Sequence, residues 1–213
     1  MRENEFWELR DQVASCFKCG LHTEGIHPIF GEGRFNAKVI FIGEAPGATE
    51  NRLTRPFVGA SGNVLNEFLE KIGLSRNDVF ITNIVKCRPP NNRDPTTKEI
   101  NVCSPYLLQQ IRMMHAQIVV TLGRFAAGFF LSHFKGMNEI VGRVHSLENH
   151  QFSLLPMFHP ATALYSRHRY LPIFERDFLT LKDFLERKNL LKEKQWGYEE
   201  ETKEKKGLDR FFL

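Results

Sequence analysis

Ala37-Lys38-Val39-Ile40-Phe41-Ile42, running into Gly43-Glu44-Ala45-Pro46-Gly47, decides the fold. A short apolar run rich in β-branched and aromatic residues breaks into a turn punctuated by Gly and Pro. A strand covered on both faces, as in a parallel sheet, reads this way. Residues 78–82, 116–122 and 152–158 have the same character. Helical patterns lie between these runs. Ser61 reads as an N-cap, with Val64, Leu65, Phe68, Leu69 and Ile72 at helical spacing and Gly73 as the C′ residue. Thr96 with Glu99 forms a capping-box pattern. Ser104-Pro105 reads as a cap and first helical residue, so a helix starts or restarts there and runs to about residue 115. Residues 124–134 and 172–191 are two more helices, the second with Phe174, Phe178, Leu181, Phe184 and Leu185 on one face. This alternation predicts an α/β fold: a three-layer α/β/α sandwich around a four-stranded, mostly parallel sheet.

The composition agrees. With 213 residues and 42% of them hydrophobic, the chain has material for a real core, and whole-chain disorder is excluded. The 19 Phe residues point to a core packed with rings. The longest apolar stretch, residues 118–131, is interrupted by Arg124 and is too short for a membrane helix. Met1-Arg2-Glu3-Asn4-Glu5 lacks an apolar signal core, so the expectation is an intracellular protein. A net charge of +4 permits nucleic-acid binding without demanding it.

In parallel α/β sheets ligands bind outside the carboxyl ends of the strands. The four strands end in Gly43-Glu44-Ala45-Pro46-Gly47, in Asn83, in Gly123 and in His159-Pro160. A Gly-rich turn, an amide and an imidazole therefore meet at one edge. Each alone would be an ordinary turn or cap residue; three at the same end of one sheet point to a site. Phe57 lies nearby in sequence, on the loop Arg55-Pro56-Phe57-Val58-Gly59. A dinucleotide fingerprint, a Walker sequence and a deaminase signature are all missing.

The cysteines are Cys16-x-x-Cys19, Cys87 and Cys103. Four thiolates can hold a structural zinc ion or a four-iron cluster, and unrelated buried thiols are the plain alternative.

Taken in order, Gly43-Glu44-Ala45-Pro46-Gly47 with Glu50, Arg55-Pro56-Phe57-Val58-Gly59, Thr82-Asn83-Ile84-Val85-Lys86-Cys87-Arg88-Pro89-Pro90 and His159-Pro160-Ala161 resemble the iron–sulfur (family 4) uracil-DNA glycosylases. The resemblance covers about residues 6–191. It implies an enzyme that flips uracil out of DNA and hydrolyses its N-glycosidic bond in base excision repair. It implies a [4Fe-4S] cluster on Cys16, Cys19, Cys87 and Cys103. It makes Phe57 the stacking ring, Asn83 the partner of the uracil edge, and Gly43, Glu44, Ala45 and Gly47 the backbone beside the base. His159 is the donor to the charge developing at O2. A sister family has Asp where this chain has Ala45, which leaves Glu44 and Glu50 as the candidates for positioning water. Glu50 would also exclude the methyl group of thymine. Ser61, Arg93 and Arg167 are the expected DNA contacts. The alternative is an iron–sulfur or zinc protein that binds DNA or senses redox state without releasing a base.

After residue 191 the composition turns to Lys, Glu and other polar residues, then abruptly apolar. The expected organisation is a catalytic domain over residues 1–191 and a charged linker with a terminal peptide over 192–213. Lys205-Lys206-Gly207-Leu208-Asp209-Arg210-Phe211-Phe212-Leu213 resembles a sliding-clamp-binding peptide, in which Leu208, Phe211 and Phe212 would share one face. The remaining expectations are a monomer, association with the nucleoid, and no membrane partner.

Overall fold

The computed structural model describes residues 2–148 and 150–191. In chain order its strands are β1 (Glu32–Gly33), β2 (Val39–Gly43), β3 (Phe80–Asn83), β4 (Ile118–Leu122), β5 (His145–Ser146) and β6 (Ser153–Met157). They form one sheet in the order β1-β3-β2-β4-β6-β5. The four central strands, β3-β2-β4-β6, are parallel and are the four read from sequence. The two-residue strands β1 and β5 pair antiparallel at the edges. Two residues are too few to carry an alternation, so no periodicity announces them.

Residues along the central strands face two cores in turn. Ile40, Ile42, Phe80, Val119 and Leu154 point into one, with Phe6, Leu9 and Val13 of α1 (Arg2–Ala14). Val39, Phe41, Ile81, Val120 and Leu155 point into the other. After α2 (Ala48–Leu53), helix α3 (Ala60–Lys71) covers this second face with Val64, Leu65, Phe68 and Leu69. Helix α4 (Thr97–Met114) returns to the first face with Leu107, Ile111 and Met114, joined by Ala126 of α5 (Arg124–Phe130). The short α6 (Met137–Ile140) and α7 (Ala161–Tyr165) precede α8 (Arg167–Arg187), which lays Phe174, Phe178, Leu181 and Leu185 on the second face. The layers are α/β/α.

Four helices differ from the sequence reading in where they begin or end. Gly59, not Ser61, is the N-cap of α3, and Ser61 sits in its first turn. The Thr96–Glu99 capping box does start α4, but the helix runs unbroken through Ser104-Pro105. Burial of Tyr106, Leu107, Gln110 and Ile111 against the sheet outweighs the bond that Pro105 cannot make. Helix α5 stops at Phe130 rather than at residue 134. Helix α8 begins at Arg167, five residues before Pro172, and ends at Arg187. Among the described residues no helix is long and apolar enough to cross a membrane.

Candidate active site

The carboxyl ends of β2, β3 and β6 and the loop before α3 enclose a cavity of about 150 Å³, lined by Ala45, Gly47, Glu50, Phe57, Ser61, Asn83 and His159. Gly43 lies behind it. A Cβ there would collide with Asn83 Oδ1 and stand 2.6 Å from the Phe57 ring. Glycine at the last position of β2 is therefore what lets amide and ring meet.

Phe57 has φ +49, a left-handed conformation that is uncommon for a bulky residue. The surroundings hold it there. Arg76 donates to the Pro56 carbonyl (2.7 Å), the Phe57 carbonyl (3.0 Å) and Asn66 Oδ1 (3.2 Å). Glu32, on edge strand β1, accepts from Arg76 and from both Arg55 donors at 2.7–2.9 Å. Burial alone would raise the Glu32 carboxyl; the two guanidinium groups overrule it and hold it down at about 2. From the other side, Glu50 Oε1 accepts from the Val58 and Gly59 amides at 3.1 and 2.9 Å. Gly62 completes the support, since a Cβ there would overlap the Phe57 carbonyl.

Asn83 ends β3 and is 2% exposed. Its Oδ1 is buried and has no hydrogen-bond partner. Such an atom costs stability unless something binds it. Its main-chain oxygen accepts from Lys86 Nζ at 2.8 Å. Lys86 is 1% exposed, and burial pushes its amine down to about 7. Nζ also donates to Thr82 Oγ1 (2.6 Å) and Gln110 Oε1 (2.7 Å), while Thr82 and Gln110 both donate onward to the Phe30 carbonyl. Three acceptors need three donors, so the network holds the ammonium form.

His159 follows β6. The Ala161 amide donates to its Nδ1 at 3.2 Å, which puts the proton of the neutral ring on Nε2. Burial lowers the ring's pKa against the opposing pull of Glu50, so the neutral donor form is favoured. The His159 and Phe57 ring centroids are 5.7 Å apart.

The other expected residues are placed less uniformly. Glu44 lies outside the cavity lining; desolvation and the nearby Asp94 raise its carboxyl to about 7 against the pull of Arg124. Ser61 lines the cavity. Arg167 is exposed at the start of α8, while Arg93 is tied to Glu99 by two bonds of 2.7 and 2.8 Å. Leu208, Phe211 and Phe212 lie outside the described residues.

Cys16 and Cys19 are half-buried, Cys87 and Cys103 are buried, and none is in a disulfide. Burial, then Cys103, Cys19 and Cys16, push the Cys87 thiol up to about 12, so the Cys87 sulfur lies within electrostatic reach of the other three. Among the described residues no three His, Cys, Asp or Glu side chains are gathered into a metal cage. The donor set is nonetheless all sulfur, which suits zinc or an iron–sulfur centre. Four thiolates in such surroundings need a bound cation or cluster to offset their charge.

The Uracil DNA glycosylase superfamily model matches residues 30–186. The chain belongs to the uracil DNA glycosylase superfamily. The type-4 uracil-DNA glycosylase of Archaeoglobus fulgidus is 41% identical over 78% of this chain and 86% of its own length. That of Sulfurisphaera tokodaii is 41% identical over 83% of each chain, and that of Saccharolobus solfataricus 41% over 84% of this chain and 86% of its own. The cavity residues all carry a signal in the sequence, whereas Glu32, Arg76 and Gln110 lie outside its motifs and Thr82 and Lys86 lie inside one with no role of their own. Lys86 carried a signal: it is a lone charge after the apolar Ile84-Val85 in a run joined to a strand end.

Proposed function

We propose that this chain flips uracil nucleotides out of DNA, single- or double-stranded, and hydrolyses the N-glycosidic bond, opening base excision repair. One observation carries the reading: a small cavity presents an aromatic ring, an unpartnered buried amide oxygen and a neutral imidazole together. A flipped pyrimidine needs a face to stack on and partners for its edge. Phe57 supplies the face. The Asn83 amide, which has both acceptor and donors, meets O4 and N3–H. Cleavage leaves negative charge on the uracil, and His159 Nε2–H stabilises it at O2 as it develops. One preorganised donor of this kind is worth roughly 3–4 kcal/mol of barrier.

Glu50 Oε1 is already committed to two backbone amides, so Glu50 serves as a wall that shapes the C5 side of the base. Glu44, with its raised carboxyl, is the group that takes a proton from water. Gly43, Ala45 and Gly47 bring the backbone close to the base. Ser61, Arg93 and Arg167 contact the DNA backbone, Arg93 after giving up part of its tie to Glu99.

The four cysteines, Cys16, Cys19, Cys87 and Cys103, hold a [4Fe-4S] cluster. Bound there, it supplies a cross-link between the N-terminal segment and the chain beyond β3. The protein acts as an intracellular, nucleoid-associated monomer. Leu208, Phe211 and Phe212 dock on a sliding clamp; a truncation at residue 207 that still binds clamp in a pull-down would refute this.

The test is release of uracil from oligonucleotides carrying one uracil, followed by alkaline cleavage of the abasic site, with thymine-only DNA beside it. The expected result is cleavage confined to the uracil position, by brown protein containing iron and sulfide, and a 10²–10³-fold loss of kcat in His159→Ala. Folded, iron-containing protein that leaves uracil in place would overturn the reading.

A further inference from the structure

The base-edge reading assigns Asn83 a task that its own position does not secure. An amide that must meet one edge of a ring needs its backbone fixed as well as its side chain, because the direction of Cα–Cβ follows from the main chain. Asn83 is the last residue of β3, where the sheet ladder ends. The peptide unit that follows it is held on its amide side, where Ile84 N–H donates to the Gly43 carbonyl at 3.0 Å. Its carbonyl side is bound at 2.8 Å by Lys86 Nζ, which fixes the tilt of that unit from the opposite face.

The geometry points to Lys86 as a positioning residue for base recognition: by holding the Asn83 main-chain oxygen, it sets the direction in which the Asn83 amide meets the flipped base. This inference rests on the reading of Asn83 as the partner of the uracil edge.

Three features distinguish Lys86 from a lysine merely buried by accident. Its position is over-determined, since Nζ has three acceptors at 2.6–2.8 Å. Two of these, Thr82 and Gln110, are themselves tied to one point, the Phe30 carbonyl, each at 2.8 Å. The ammonium is thus braced against β3, α4 and the segment before β1. Its own amide donates to Cys103 Sγ at 3.2 Å, so main chain and side chain of one residue are both fixed. No other group in this network touches the cavity, and only through Asn83 does it reach the base.

Positioning has a signature that general stabilisation lacks: its effect disappears when the positioned group is removed. The experiment is a double-mutant cycle on the full chain, with Lys86→Met, Asn83→Ala and both together. The readouts are the KI of free uracil as a competitive inhibitor and the kcat and KM for a uracil-containing oligonucleotide. Lys86→Met is expected to raise the KI of uracil and lower kcat/KM by about tenfold or more. In the Asn83→Ala background the same change is expected to stay within twofold. Equal losses in both backgrounds, or an unchanged KI in Lys86→Met, would overturn the inference.

An Asn83→Ala variant with parental KI and excision would instead refute the base-edge reading itself. Where Lys86→Met gives no folded protein, Thr82→Val keeps a β-branched residue in the strand and removes one of the three acceptors. A smaller rise in KI that vanishes in Asn83→Ala supports the inference, and a rise of equal size in both backgrounds overturns it.

Discussion

The two walls of the base cavity solve one problem in different ways. Each holds backbone at or beyond the end of a regular element, and each does so with a cation on a main-chain carbonyl. At the Phe57 wall, Arg76 binds the Pro56 and Phe57 carbonyls, and Glu32 gathers Arg76 and Arg55. Those ion pairs open to water unevenly: the Arg55 side chain is 57% exposed, Glu32 24% and Arg76 15%. At the Asn83 wall, Lys86 is sealed in and the three acceptors of its Nζ are uncharged. Exposed pairs are worth about 0–1 kcal/mol and are screened by salt. A buried cation contributes more geometry and loses more when a partner goes. The ring wall is thus adjustable from outside, and the amide wall is not.

The largest effect should come from forcing the ring wall directly. In Gly62→Ala, the new Cβ would overlap the Phe57 carbonyl, which is backbone and cannot swing aside. The left-handed turn at Phe57 would have to move by about an ångström. A displacement of that size can cost on the order of 10²-fold in rate. The expected result is a loss of about that magnitude in kcat/KM for uracil excision, with the sheet intact by circular dichroism. Near-parental kinetics would show that the ring is not held where stacking requires it.

What could be read in advance follows the same division. The four central strands and the residues at their ends were legible, because a buried parallel strand is a continuous apolar run and its end is marked by Gly, Asn or His. Phe57 was legible only as a ring on a punctuated loop. Its left-handed backbone and its support were not, because Glu32, Arg55 and Arg76 meet across more than twenty residues of sequence. Gly31-Glu32-Gly33 lacks the third glycine of a dinucleotide fingerprint and carries no other local signal; its structural role is to carry Glu32 on an edge strand. Helix α4 shows the converse failure. Pro105 looked like a start because local sequence cannot register the packing of the helix on the sheet.

Glu44 lies outside both walls, which separates proton handling from base binding. If it takes the proton from water, excision should rise with pH through about 7, and Glu44→Gln should lose that limb while the KI of free uracil is unchanged. Stability gives an independent readout. The folded-state carboxyl is raised above its ordinary 4.5, so the folded protein holds a proton that the unfolded chain has released. Stability therefore falls as pH rises from 4.5 to about 7. In Glu44→Gln the melting temperature should decline less across that window. An unchanged pH profile in the variant would take Glu44 out of the reaction.

The smallest effect tests the contrast itself. Glu32 is held at about 2, so its ion pairs are present at neutral pH and are lost only as pH falls from 4.5 toward 2. Glu32→Gln removes the charge but leaves Arg76 bonded to the Pro56 and Phe57 carbonyls. Free uracil is uncharged, so its KI reports the wall without the salt dependence of DNA binding. Partly exposed pairs of this kind predict a rise of at most about fivefold in the variant. They also predict a comparable rise in the parent at high salt, and little further salt response once Glu32 is gone. A KI in Glu32→Gln that rose as far as in Lys86→Met would mean that the exposed network holds its wall as firmly as the buried lysine holds the other. Solvent access would then not be what separates them.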